Sequence, residues 1–393
     1  MDKKIIVAAI VAILVIAGIG IYAITSDSKE KDSSYTLLAV ANSEGSGLYI
    51  KENIFNERGG ASAFYTDEGN GIYTVDESNK AAWGGLIFGT PGTTSIQHVQ
   101  LRTIAEEYLG LNYTLYQENT QKNSQTVYYV PSVSNATAAL SGGYPLDGGI
   151  LWQPQYQAIV DSTTGGFTEL ALTNNLFPGH TCCVVAGSTS FIGANTEVTE
   201  RFLAAYVKGA LWVQSALADT GSDDYARLVE ISKSKTSGLS EEVIKESLST
   251  ITYLYGNQGQ DDPLTSLRTD IAALADSLQL EHTVEDLGFA DSKAFADRFV
   301  NSTYLKAALE GVDKLDSAVT VKVAVITGDL HQIALHVAVE NGYFNELGIN
   351  VETSGATNGA GVAVALQNGT VVFGLLGAPP ATSTIINGEL IKA

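Results

Sequence analysis

The stretch VKVAVITGDLHQIALHVAVENGYFNELGINVETSGATNGAGVAVALQNGTVVFGLLGAPPATSTIINGEL, from Val321 to Leu390, decides the fold class. Short β-branched runs alternate in it with alanine-rich runs of helical period. Lys322 to Ile326 reads as a strand, and Ile333 to Asn341 as a helix closed by Gly342. Leu347 to Glu352 reads as a second strand, Gly361 to Gln367 as a second helix and Val371 to Leu376 as a third strand. The product is a βαβαβ unit whose loops, Thr327 to Gln332 and Gly377 to Ala381, sit at the strand C-termini. In open α/β sheets, ligands bind in the crevice outside those ends.

Outward from this stretch, the chain carries a weaker copy of it. Shifted back by 238 positions, Leu347-Gly348-Ile349-Asn350 falls on Leu109-Gly110-Leu111-Asn112, and His336-Val337 on His98-Val99. Shifted by 226, Ala365-Leu366, Gly369, Gly374 and Pro380 fall on Ala139-Leu140, Gly143, Gly148 and Pro154. Repetition of a whole supersecondary unit predicts two similar lobes.

The 393 residues have room for two or three domains and an ample core. With 45% hydrophobic and 17% charged residues, the composition is that of a globular α/β protein. The net charge of -21, from 43 acidic and 22 basic residues, would repel nucleic acid, so no nucleic-acid partner is expected.

At the N-terminus, Lys3-Lys4 precede 20 uncharged residues, Ile5 to Ile24. A run of ~20 residues spans a bilayer core, and flanking lysines keep that end in the cytoplasm. The expectation is a cytoplasmic stub at 1–4, a single-pass transmembrane anchor at 5–24 and a linker at 25–34, with the rest of the chain outside the cell membrane. A cleaved signal peptide is the competing reading, with Gly20 to Ala23 a poor cleavage site. Sequons at Asn112, Asn135, Asn301 and Asn368 are compatible with export.

Tyr35 to Ile50 reads as two strands around a polar turn, assigned with residues 35–57 to part of lobe I and the hinge. Asn53 to Asn79 is rich in Gly, Asp and Asn and reads as an inserted surface hairpin or loop, with 58–82 taken as the insertion. Lobe II is assigned to 83–195. In it, Leu86 to Phe88 is a strand feeding the turn GTPGTTSIQH, and Thr93, Thr94 or Ser95 caps a helix over Ile96 to Leu109. The free N–H groups of such a helix end attract sulfonate, carboxylate or nitrate. Val127 to Trp152 supplies two further strands around a helix, and Leu176 to Val185 a loop entering another strand. Residues 196–315 form a helical layer: Thr199 to Ala218, Asp223 to Ser234, Ser240 to Tyr255, Pro263 to Leu278 and Ser292 to Leu309. Residues 316–393 return to lobe I.

Enzyme chemistry finds little support. No metal-spaced His pair, nucleophile elbow or phosphate loop is present, so neither a metal nor a cofactor is called for. His98 and His336 hold matching helix positions, which favours packing. His331 lies in a ligand loop and is able to hydrogen-bond a solute. Cys182 and Cys183, next to His180, would point to opposite sides of a regular strand, and adjacent cysteines bridge only with strain. Trp152, just past a strand end beside a proline, is the aromatic residue best placed to wall in a ligand. Tyr128, Tyr129, Tyr144 and Tyr156 read as core.

The segments VKVAVITGDLHQIALHVAVENGYFNELGINVE, GLLGAPPA, ANSEGSG, GTPGTTSIQH and LWQP together resemble the solute-binding proteins of ABC importers for nitrate, sulfonates, taurine and thiamine-pyrimidine precursors. The resemblance covers nearly everything after Ser34. It implies a periplasmic-binding-protein-like α/β fold of two βαβαβ lobes joined by a hinge, closing on one small solute delivered to an importer permease. It also implies the ligand contacts: Gly328, Asp329, His331, Ala378, Pro379, Asn42, Ser43, Glu44 and Ser46 from lobe I, and Gly92, Thr93, Thr94, Ser95, Trp152, Gln153 and His180 from lobe II. The chain departs from the family in order. Family members begin with the unit found here at Val321 and run from the GAPP loop into the strand found here at Tyr35, so a circular permutation is expected, with domain swapping or tandem copies as alternatives. Val372 stands where the family has an acidic residue, and the ligand-facing motifs lack Lys and Arg. A membrane-tethered sensor or surface protein of the same fold, or an enzyme of the thiamine-pyrimidine kind, are the other readings.

Overall fold

The computed structural model describes residues 34–390. The expected stub and anchor, with the linker up to residue 33, lie outside the described residues. Among the described residues, no helix is long and apolar enough to cross a membrane.

Two six-stranded sheets organise the chain. Strand Val319–Ile326 is the middle one of the three parallel strands of the first. It pairs in parallel with Ile349–Ala356 on one side and Phe373–Gly377 on the other, and helices Ile333–Glu340 and Gly359–Gln367 make the connections. The second strand runs four residues beyond its expected end at Glu352, because its ladder with Val319–Ile326 continues to Ala356 whatever the local propensity. Beyond Phe373–Gly377, strands Thr181–Ser188, Tyr35–Glu44 and Ile251–Tyr253 follow in order, each antiparallel to the last.

The second sheet has the order Asn112–Leu115, Thr126–Val130, Ile87–Gly89, Gly148–Trp152, Ser46–Lys51, Phe167–Leu172. Its first four strands are parallel, and each of the last two is antiparallel to the strand before it. Helices Ile96–Thr103 and Ala136–Leu140 connect the parallel strands. Each sheet therefore holds a βαβαβ core followed by one antiparallel strand that arrives from the other lobe. In the first sheet that strand is Thr181–Ser188, and in the second it is Ser46–Lys51.

This exchange corrects the lobe boundaries read from the sequence. Tyr35–Glu44 and Ser46–Lys51, read together within 35–57, belong to different sheets. Thr181–Ser188, read as part of lobe II within 83–195, pairs with Tyr35–Glu44 and Phe373–Gly377 in the first sheet. A strand's two-residue period is the same whichever sheet receives it, so tertiary pairing alone decides the assignment. The chain crosses between lobes at Gly45 and again through helix Thr173–Leu176 and the turn that follows it.

Two helical readings also change. The helix expected from Ser240 to Tyr255 is Glu241–Ser249, and the β-branched and aromatic run Ile251–Tyr253 pairs at the edge of the first sheet. Ser292 to Leu309 divides into Ser292–Phe299 and Thr303–Glu310, with Val300 bridged to Leu37 between them. Residues 52–79 fold as helices Glu52–Arg58 and Ala61–Phe64, a hairpin of Thr66–Gly69 with Ile72–Thr74, and a closing turn.

The first lobe and the helical layer share one core, in which Phe202 and Phe373 stack with ring centroids 4.0 Å apart. The second sheet has a core on each face: Leu48, Ile50, Phe88 and Ile150 pack on one, Tyr49, Ile87 and Leu151 on the other. That alternation is the strand period read directly from packing.

Candidate functional site

A narrow cleft lies between the two lobes, with about 80 Å³ of room inside it. Two capped helices end at it. In the second lobe, Ser95 Oγ accepts a hydrogen bond from the His98 N–H (3.2 Å) and donates to the Gly92 carbonyl (2.8 Å), which starts helix Ile96–Thr103 beside the cleft. In the first lobe, Asn358 Oδ1 accepts from the Gly361 N–H (3.0 Å) and starts helix Gly359–Gln367 on the facing wall. Ile96, Gln97, Gly359 and Ala360 line the space, so first-turn N–H groups border it from both lobes. A third helix, Ala378–Leu390, also begins here, but Pro379 and Pro380 in its first turn have no N–H to offer. Its contribution is an apolar wall, with Ile326, Pro91 and Trp152 adding to it. Replacing Ser95 with alanine is expected to cost about 1 kcal/mol of stability, to be read as a lowered unfolding midpoint.

Among the described residues, no Lys or Arg lines the cleft. Its cationic group is His331, 1% exposed, whose Nδ1 donates to Asp329 Oδ1 (2.7 Å) and whose Nε2 donates to the Glu44 carbonyl (3.2 Å). Burial alone would discharge this ring, but the Asp329 carboxylate and the Cys182 sulfur hold its pKa well above the ordinary histidine value. The Asp329 carboxylate also caps the short turn at Leu330, accepting from the His331 N–H (3.0 Å). His98 and His336, at matching helix positions, behave oppositely. Burial lowers each to about 4, aided by Arg102 for His98 and by Lys235 for His336, so both are neutral packing residues.

Of the residues expected at the site, Gly92, Thr94, Ser95, Trp152, Asp329 and His331 line the cleft. Others form the hinge behind it. The Glu44 carboxylate accepts from the Gly179 N–H (3.0 Å) and Thr252 Oγ1 (3.1 Å), and His180 Nδ1 donates to the Phe177 carbonyl (2.7 Å). Ser46 Oγ accepts from Gln97 Nε2 (2.9 Å). Gln153 is fully buried: its Oε1 accepts from Ser247 Oγ (3.0 Å), its Nε2 donates to Thr250 Oγ1 (3.1 Å) and its N–H donates to the Gly45 carbonyl (2.9 Å). It braces the crossover against the helical layer and does not line the cleft. Thr93 is exposed on the turn, Gly328 is half-buried in the loop below, and Ala378, Pro379 and Ser43 are buried without lining the space.

Sequence reasoning missed Gln97, Asn358 to Ala360 and both cysteines. For Asn358 the signal existed, since an Asn before an alanine-rich run is a helix N-cap. For Cys182 and Cys183 the expectation of opposite directions is overturned. The register between Thr181–Ser188 and Tyr35–Glu44 slips beside Cys182, with Cys183 opposite Asn42 and Thr181 opposite Ser43. A bulge of this kind re-aims a side chain. Both sulfurs therefore reach the cleft, 3.8 Å apart.

No family model matches the chain, and neither does any curated protein. The crystal structure of the periplasmic nitrate-binding protein NrtA from Synechocystis PCC 6803 is similar over 71% of this chain and 68% of that one, with 11% sequence identity and a TM-score of 0.48.

Proposed function

We propose that the chain is the extracytoplasmic solute-binding protein of an ABC importer, holding one small polar or anionic solute between its lobes and releasing it to a permease. The observation that carries this reading is the pair of helix N-termini, one from each lobe, facing each other across a cleft with no Lys or Arg among the described residues that line it. Peptide N–H groups supply fixed partial positive charge without the desolvation cost of a buried lysine. Two chain crossings join the lobes, which suits hinge closure. His331 is already neutralised by Asp329, so the site favours weakly held anions such as nitrate or a sulfonate, or a pyrimidine-like ring, over a multiply charged ligand. The apolar wall of Trp152, Ile326 and Pro380 would meet the uncharged part of such a solute. The reading includes a membrane tether at residues 5–24 and no catalytic role.

The chain order fits a circular permutation of the solute-binding fold. The helical layer runs directly through residues 311–318 into strand Val319–Ile326, while Tyr35 Oη, at the start of its strand, donates to the Ala381 carbonyl in the last helix (2.8 Å). That contact between the first described strand and the last helix supports the permuted reading.

The test is thermal unfolding of the full chain with nitrate, taurine, alkanesulfonates, aminopyrimidines and small carboxylates. A ligand at ~100 times its Kd adds about 2.7 kcal/mol. With an unfolding entropy of ~2.1 cal/mol/K per residue, the midpoint should rise by about 3 to 4 °C. If no compound in these classes moves it, the solute-binding reading fails.

A further inference from the structure

Cys182 and Cys183 are the chain's only cysteines, and both sit on the cleft floor, 3% and 4% exposed, beside the buried Asp329–His331 pair. Their separation of 3.8 Å discriminates between two fates. A disulfide needs ~2.05 Å between sulfurs, so the pair would have to close by roughly 1.8 Å on adjacent residues of a paired strand. A single atom bonded to both sulfurs at ~2.3 Å, the length of a typical metal–thiolate bond, bridges them without movement. The geometry favours a one-atom bridge.

The number of protein donors then limits which atom fits. Among the described residues, no group of three or more His, Cys, Asp or Glu side chains is placed to hold a metal ion. Zinc would want four ligands, and the floor offers two. A three-coordinate centre that brings its own oxygen is completed by two thiols. Polar partners for that oxygen are at hand. Asn42 is fully buried, stands directly across the ladder from Cys183 and therefore on the same face, and neither its Oδ1 nor its Nδ2 has a hydrogen-bond partner among the described residues. Leaving a buried amide unsatisfied is unfavourable, and a bound hydroxyl would relieve it.

We propose that Cys182 and Cys183 form a two-thiol site on the cleft floor for a trivalent metalloid hydroxide, of which arsenite is the simplest. Each arsenic–sulfur bond forms as one arsenic–oxygen bond breaks, and each thiol proton leaves with the departing hydroxide as water. Two waters are released, one hydroxyl stays on arsenic, and nothing is oxidised or reduced. The Cys183 thiol donating toward Cys182, with the His331 imidazolium alongside, draws the Cys182 pKa well below the usual thiol value despite burial. Ionised Cys182 supplies the nucleophile for the first bond, and the proton it gave up to solvent returns to the departing hydroxide, so two waters are still released.

The test uses the full chain, reduced, and reads arsenic content by native mass spectrometry together with the number of thiols open to alkylation. Arsenite should add one arsenic per chain and protect both thiols, with reversal by a dithiol reagent. Cys182→Ala and Cys183→Ala should each bind at least 10-fold more weakly, since the second bond is intramolecular only when both sulfurs are present. Should either variant fail to fold, the wild-type chain still decides the matter. Phenylarsine oxide, able to bond two sulfurs, should bind at least 10-fold more tightly than dimethylarsinous acid, which bonds one. Equal binding of those two probes, single variants as tight as wild type, or thiols left open to alkylation in arsenite would each overturn the proposal. Thiol counts read the floor alone, so they are separable from the solute-induced shift in melting.

Discussion

Gly45→Val is expected to lower stability by about 3 kcal/mol, combining ~1–2 kcal/mol for a left-handed backbone with ~1–3 kcal/mol for overpacking. Gly45 joins a strand of the first sheet to a strand of the second, with φ of 80°. A β-carbon there would overlap the His331 ring at Nε2 and lie 2.6 Å from Ile251 Cγ1. Neither neighbour can yield freely. His331 is pinned by Asp329 and the Glu44 carbonyl, and Ile251 belongs to the sheet edge. At ~2.1 cal/mol/K per residue, 3 kcal/mol lowers the melting midpoint by about 4 °C. Gly238→Val is the control, because Gly238 has φ of 77° and nothing within 4 Å of its would-be β-carbon. It should cost only the backbone part, ~1–2 kcal/mol. If the two variants melt together, the tight packing of the crossover against His331 is wrong. If Gly45→Val melts earlier and also loses any solute-induced shift, crossover and site are coupled as the geometry implies.

That crossover shows where the sequence stops being informative. The βαβαβ unit was legible from Val321 onward because β-branched and alanine-rich runs alternate cleanly, and the internal copy made the second lobe legible in outline. A Gly between two strands, however, looks the same whether the chain folds back on itself or passes into another sheet. Only the pairing of Ser46–Lys51 with Gly148–Trp152 settles it. The cleft loops are readable as loops, and six of the residues expected as contacts line the space. Glu44 and Gln153 are contacts that the resemblance implies, yet their polar groups are turned to hinge and helical-layer partners far away in sequence, and His180 turns its Nδ1 to the carbonyl of Phe177, three residues back. The two thiols were misread for a different reason. A bulge depends on how two strands register, and alternation within one strand carries no trace of it.

The Asp329–His331 pair makes the other large prediction, one of sign as well as size. Asp329→Asn keeps the shape and an acceptor near Nδ1 but removes the charge that holds the buried imidazolium. Removing one partner of a buried pair typically costs about 3–5 kcal/mol, so the variant should melt about 4 to 6 °C lower near pH 6 at ~2.1 cal/mol/K per residue. The pH dependence should separate the two proteins further. In the wild type, the His331 pKa is raised above its unfolded value of ~6.5. Its contribution to stability is therefore fully present below pH ~6.5 and is lost as pH climbs through the higher folded value. Without the carboxylate, only the Cys182 sulfur still opposes burial, so the ring's pKa falls in the direction of His98 and His336, both lowered to about 4. A histidine depressed in the folded state favours unfolding as pH drops below ~6.5, because the unfolded chain then binds the extra proton. The stability gap between wild type and Asp329→Asn should accordingly widen from pH 8 to pH 5. The other groups facing His331 do not mimic this trend: Cys182 and Cys183 stay with it in both proteins, and Tyr253, which donates to the Leu330 carbonyl (3.0 Å), is raised well above 10 by burial and stays neutral across the range. Urea midpoints of both proteins across that pH range make the measurement. A gap that stays constant or narrows toward low pH would mean that His331 is uncharged in the fold, and with it would go the neutral ion-pair floor on which the preference for weakly held anions depends.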